Sequence, residues 1–172
     1  MPVVDWIVEV SQTHELIKKS KILIVGLKNA GKSKLIWRIS EDKRLPGSLV
    51  SVSRRGSMTV RKGNIVFTTL EVGGPNPDHE LRAELVRGAS AVIFVVDATD
   101  AEGFDEATAE LHALAAAPEL LGVPFLVLGN KSDSRGAGTG HLGNLCSFRK
   151  WWGFQDGTKW LADRLVGSIW VV

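Results

Sequence analysis

Gly26-Leu-Lys-Asn-Ala-Gly31-Lys32-Ser33 follows the apolar run Ile22-Leu-Ile-Val25 and opens a stretch with helical patterning, Lys34 to Ile39. The octet fits G-x-x-x-x-G-K-[ST], and strand, loop, helix is the setting in which that pattern grips phosphate. Gly26 and Gly31 let the chain curl until successive N–H groups aim at one anion. The positive end of the following helix adds to the same field. Gly26, Lys28, Asn29, Ala30, Gly31, Lys32 and Ser33 are therefore the candidate phosphate contacts. Lys32 is expected to span the β- and γ-phosphates, and the Ser33 hydroxyl to hold Mg²⁺. The competing reading is a chance match in a glycine-rich turn, against which the flanking strand and helix argue.

Outward from this loop, short apolar runs alternate with helical stretches. Ile65 to Val72 reads as a strand ending at Gly73-Gly74, Ala91 to Val96 as a fully apolar strand closed by Asp97, and Pro124 to Leu128 as another. Phe104, Ala107, Leu111 and Leu114 mark one helical face, and a last helix is expected over about Gly157 to Leu165. Such alternation predicts an α/β domain with a mostly parallel sheet of five or six strands and helices on both faces. Ligands in sheets of this kind sit at the carboxyl ends of the strands, where the loop from Gly26 lies.

The chain has 172 residues, 44% of them hydrophobic, and a net charge of +2. That suits one globular domain with a sizeable core. No apolar run approaches bilayer length, and the near-neutral balance speaks against a dedicated nucleic-acid surface. One cysteine, Cys146, excludes a disulfide framework, and four scattered histidines show no metal-ligand spacing. The expected location is intracellular, in the cytoplasm or at an endomembrane periphery, with an organelle left open.

Residues 1–18 are set apart from a domain over 19–172. Val3, Ile7, Val10, His14 and Ile17 fall at spacings of four and three, the stripe of an amphipathic helix. It either packs on its own domain or touches a membrane or partner. Pro2 stands where myristoylation needs glycine.

Asn130-Lys131-Ser132-Asp133 follows the strand ending at Leu128. A carboxylate there can accept from N1–H and the 2-amino group of guanine, a donor pair adenine lacks, and so can discriminate between bases. The Lys131 stem can lie over the purine, and Asn130 can tie this loop to the phosphate loop. At this point the sequence resembles the Arf/Sar family of small GTP-binding proteins, and most closely its Sar-type branch. The likeness runs through Gly26 to Ser33, Phe67-Thr-Thr-Leu-Glu-Val-Gly-Gly74, Val95-Val-Asp97, Glu110-Leu-His-Ala-Leu114, Val123 to Asp133, Cys146-Ser147 and Gly157-Thr-Lys-Trp-Leu161. The resemblance implies binding of GTP or GDP with Mg²⁺. It places Cys146 and Ser147 near the base, and the Gly74 amide where it senses a γ-phosphate. Family members commonly act as nucleotide-dependent switches in membrane traffic.

Three departures bear on function. The family has Asp-x-Gly-Gly followed by Gln, or by His in the Sar-type branch; here the segment is Glu71-Val-Gly-Gly-Pro75. Phosphoryl transfer depends on positioning the attacking water, and Pro75 offers neither a polar side chain nor an N–H. Glu71, longer than Asp, would have to retract to serve Mg²⁺. Second, counting back from Phe67 puts Val52, between Ser51 and Ser53, at the expected Mg²⁺-binding threonine. Arg54 and Arg55 beside it read either as a solvated basic loop or as an internal arginine finger. Third, only Ser134 to Leu145 separate Asp133 from Cys146, too few for the usual helix and strand. A missing helix would bare a flank for a partner, and Trp151-Trp152 and Ile169-Trp-Val-Val172 point the same way. Two functions follow: a guanine-nucleotide switch with very slow or absent hydrolysis, or a pseudo-GTPase kept as an assembly subunit. No residue is nominated as a catalytic base.

Overall fold

The computed structural model describes residues 19–41 and 49–131 and the backbone of residues 144–145. The elements run β1 (Ser20–Gly26), α1 (Lys32–Glu41), β2 (Ser51–Val52), β3 (Met58–Lys62), β4 (Ile65–Glu71), α2 (His79–Val86), β5 (Ala91–Asp97), α3 (Phe104–Ala115), a single 3-10 turn (Pro118–Leu120), β6 (Phe125–Asn130) and β7 (Asn144–Leu145). The seven strands form one sheet in the order β2-β3-β4-β1-β5-β6-β7. β1 is parallel to β4 and β5, and β6 is parallel to β5 and β7. Only β2 and β3 run against their neighbours.

The central strands carry long apolar runs, Ile22 to Val25 in β1 and Ala91 to Val96 in β5, because each face of the sheet is covered. Along β1, Ile22 and Ile24 join Leu35, Ile36 and Ile39 of α1 in one core layer, with Phe67, Ile93 and Val95. Leu23 and Val25 point the other way, into a second layer with Leu70, Phe94, Leu81 of α2, and Ala107 and Leu114 of α3. The period of two along the strand thus sorts one apolar run into two cores.

The expected α/β class, mostly parallel sheet and two-sided helices are what the structure has. Among the described residues the strands number seven rather than five or six, through the hairpin β2–β3 and the short β7. β3, Met-Thr-Val-Arg-Lys, alternates buried and less buried positions, and its charges disguise the pattern in the sequence. Helix α2 was not foreseen because its apolar face is narrow; only Leu81 and Val86 are buried. Its start carries a readable signal: Asp78 caps it, Oδ1 accepting from Leu81 N at 2.8 Å. The expected N-terminal helix, the expected loss of a helix within Ser134 to Leu145 (apart from the backbone of 144–145), and the last helix lie outside the described residues.

Candidate functional site

β1 is the central strand of the sheet, and at its carboxyl end the chain must turn sharply. Gly26 is fixed there by space: a Cβ would meet the Val95 carbonyl oxygen at 2.3 Å. Beyond it, Asn29 (φ 63°) and Gly31 (φ 112°) adopt left-handed backbone, which curls the loop. Ala30, almost fully buried, anchors it, and its carbonyl accepts from Asn130 Nδ2 at 2.9 Å. The phosphate loop and the end of β6 are therefore one unit, joined through a buried hydrogen bond.

Above the loop lies a cavity of ≈ 580 Å³, whose lining includes Lys28, Asn29, Gly31, Lys32 and Ser33 on the loop side and Glu71 at the end of β4. Lys32 is buried. Its Nζ donates to Leu27 O at 2.6 Å and lies 3.6 Å from Glu71 Oε2. Burial pulls the Lys32 pKa below the ordinary lysine value, and the Glu71 carboxylate only partly offsets this. A buried cation in a positive loop is electrostatically incomplete, and an anion in the cavity would complete it.

The residues present fit a phosphate chain: a curled loop with left-handed backbone, a helix N-terminus at Lys32 and an under-compensated ammonium. Ser33 and Glu71 line the same cavity. Among the described residues no group of three or more His, Cys, Asp or Glu forms a metal cluster. A divalent cation fits here only in the Mg²⁺ manner, held by one or two protein oxygens with phosphate and water completing its shell.

Other expected residues lie elsewhere. Gly74 is exposed; its N–H donates to Glu106 Oε1 of α3 at 2.7 Å, while Gly73 lines the cavity. Lys131, with left-handed backbone (φ 65°), pairs through Nζ with Asp97 Oδ2 at 2.5 Å. Burial alone would raise the Asp97 pKa, but Lys131 and the Thr99 hydroxyl and amide outweigh it and hold that carboxyl below its usual range. Asp133, Cys146 and Ser147 are outside the described residues.

Val52 is exposed, and neither flanking serine restores a hydroxyl to the cavity. Ser51 Oγ donates to Thr59 O at 3.3 Å. Ser53 Oγ accepts from Arg55 N and Ser57 N and meets Ser57 Oγ at 2.9 Å. Besides Ser33, the hydroxyl residues that line the cavity, Ser57 and Thr69, were missed by sequence reasoning, as were Asn76 and Asp78. Only the register of the unforeseen hairpin could have pointed to Ser57. Arg55 also lines this space and is not simply solvated.

The sequence matches the model of the ADP-ribosylation factor family over residues 7–142. It is 32% identical over 166 residues to ADP-ribosylation factor K of Dictyostelium discoideum, covering 86% of each chain. It is 34% identical over 123 residues to ADP-ribosylation factor-like protein 4D of Homo sapiens, covering 67% of this chain and 59% of that one. ADP-ribosylation factor-like protein 8c of Arabidopsis thaliana is 32% identical over 116 residues, 67% of this chain and 62% of its own.

Proposed function

The chain belongs to the ADP-ribosylation factor family, and from that membership we propose that it is a guanine-nucleotide-binding switch whose intrinsic GTP hydrolysis is very slow or absent. One observation carries this: Lys32, Ser33 and Glu71 share a single cavity, while the chain crossing it at Gly73, Asn76 and Pro77 has Pro75 where relatives position water with Gln or His. Lys32 neutralises the phosphates. Ser33, with Glu71 acting through water, serves Mg²⁺. Asn130 and Lys131 support the base, Asp133 selects guanine, and Cys146 and Ser147 lie beside it. Work in vesicle transport follows from the family habit. A place nearest the Sar-type branch rests on the stripe Val3, Ile7, Val10, His14 and Ile17 ahead of the first strand; the relatives named above are described as ADP-ribosylation factors or factor-like proteins. A partner bound at the flank after β6 and at the apolar C-terminus, with a peripheral membrane contact through residues 1–18, completes the reading. Among the described residues, no helix is long and apolar enough to cross a membrane.

A second reading, a pseudo-GTPase kept as an assembly subunit, draws on the first-switch region. There Val52 stands in place of a metal-binding hydroxyl, and both adjacent serines are committed to the hairpin. Acid extraction of purified protein followed by chromatography separates the two. Retained GTP or GDP that is lost in Lys32→Ala supports the switch, and an empty pocket supports the subunit. Unassisted turnover as fast as that of an activated family member would overturn slow hydrolysis.

A further inference from the structure

We propose that Arg55 is a direct ligand for the terminal phosphate of a bound nucleoside triphosphate, and thereby sets the preference for triphosphate over diphosphate. This rests on the nucleotide-binding reading above and adds a residue to that site which the phosphate-loop pattern does not contain.

Arg55 sits at the tip of the β2–β3 hairpin, on a turn that its own hydrogen bonds hold in shape. Ser53 N donates to Ser57 O at 2.8 Å and Gly56 N to Ser53 O at 3.0 Å. Ser53 Oγ accepts from the Arg55 and Ser57 amides at 3.2 and 3.1 Å. Gly56 supplies the left-handed residue (φ 82°) that closes it. A fixed tip places Arg55 in the lining of the cavity that Lys32 and Ser33 line from the loop side.

The guanidinium pairs with two acids, one of which, Asp78, lines the same cavity. Its Nη2 lies 3.0 Å from Glu80 Oε2 and its Nε 3.6 Å from Asp78 Oδ2. The side chains of both acids are well exposed, at 85% and 43%, and exposed pairs contribute little. A terminal phosphate carries more charge on oxygens whose geometry suits the guanidinium fork, so exchange from carboxylate to phosphate is cheap. Asp78 loses nothing structural in that exchange, since its other oxygen caps α2. The cavity lining also carries Lys28, Lys32 and Lys34 with Arg55, against Glu71 and Asp78; that surplus of cations favours a polyanion.

A plain tether between hairpin and α2 would use the same bridge, and the two roles predict different signs. Affinities for fluorescently labelled GDP and for a non-hydrolysable GTP analogue are measured on the full chain with Mg²⁺. Arg55→Ala is expected to lower the GTP-over-GDP ratio by about tenfold or more, with Arg55→Lys intermediate and GDP affinity kept as the control for folding. Glu80→Gln removes a competitor for the guanidinium and is expected to raise the ratio about two- to threefold. A tether moves the ratio in one direction for both variants, or in neither, and either result overturns the proposal. A wild-type chain that binds neither nucleotide overturns the nucleotide reading itself, and the role of Arg55 with it. A wild-type chain that binds both while Arg55→Ala leaves the ratio unchanged overturns only Arg55.

Discussion

The segments 26–33 and 73–78 each contribute to one wall of a single cavity, yet they are held by different forces. The first wall is welded to the core. Gly26 lies against the β5 backbone, Ala30 is buried and bonded to Asn130, and α1 sinks Leu35, Ile36 and Ile39 beneath it. The second wall has adjacent glycines with positive φ at 73 and 74 and an exposed run from Gly74 to Asp78. Its polar ties reach Glu106 and Arg55 across the surface. Gripping an anion needs preorganised amides, which a packed core supplies. Responding to an anion needs contacts weak enough to exchange, and low-stability segments supply those.

The contrast can be broken at its strongest point first. Gly26→Ala places a methyl group 2.3 Å from a backbone oxygen in a central strand and should cost about 3 kcal/mol by urea unfolding. Stability equal to wild type would mean the first wall yields after all. Asn130→Ala removes a buried partner of Ala30 and should cost about 2 kcal/mol, with nucleotide affinity falling alongside.

Next comes pH. The folded Asp97 pKa lies below its unfolded value, so its contribution is fully present above about pH 3.9 and is lost as pH falls through the lower folded value. Since the pair is partly solvated, at most about 1 kcal/mol is at stake, and Asp97→Asn should flatten that part of the acid unfolding profile. Smallest is Glu106→Ala. It frees the Gly74 amide, so stability should move by less than about 0.5 kcal/mol while GTP-analogue affinity rises about two- to threefold. A stability loss matching that of Asn130→Ala would instead assign residues 73–78 to the rigid wall.

The two walls were not equally legible. Gly26 to Ser33 could be placed from sequence because buried-strand hydrophobicity, glycine spacing and a following helix all agree there. The strands β1, β5 and β6 announced themselves for the same reason: burial on both faces leaves unbroken apolar runs such as Ala91 to Val96. The second wall is polar and exposed, so no periodicity marks it. Pro75 could be read as a loss, but that Glu106 of α3 holds the Gly74 amide is a tertiary fact with no local signature. Arg55 illustrates the same limit: its charge suggested a solvated loop until the hairpin register brought it to the cavity. α2 escaped because two buried residues make too narrow a stripe to count.

The bond between Asn130 and Ala30 spans 100 positions. Contacts so distant along the chain form late, after the entropy of closing the intervening loop has been met. During synthesis, a nascent polypeptide that has not yet extruded β6 carries the glycine-rich loop without its anchor. The anion cradle is therefore completed by the same event that lays β6 beside β5, and ligand capture by an unfinished chain is disfavoured by its topology.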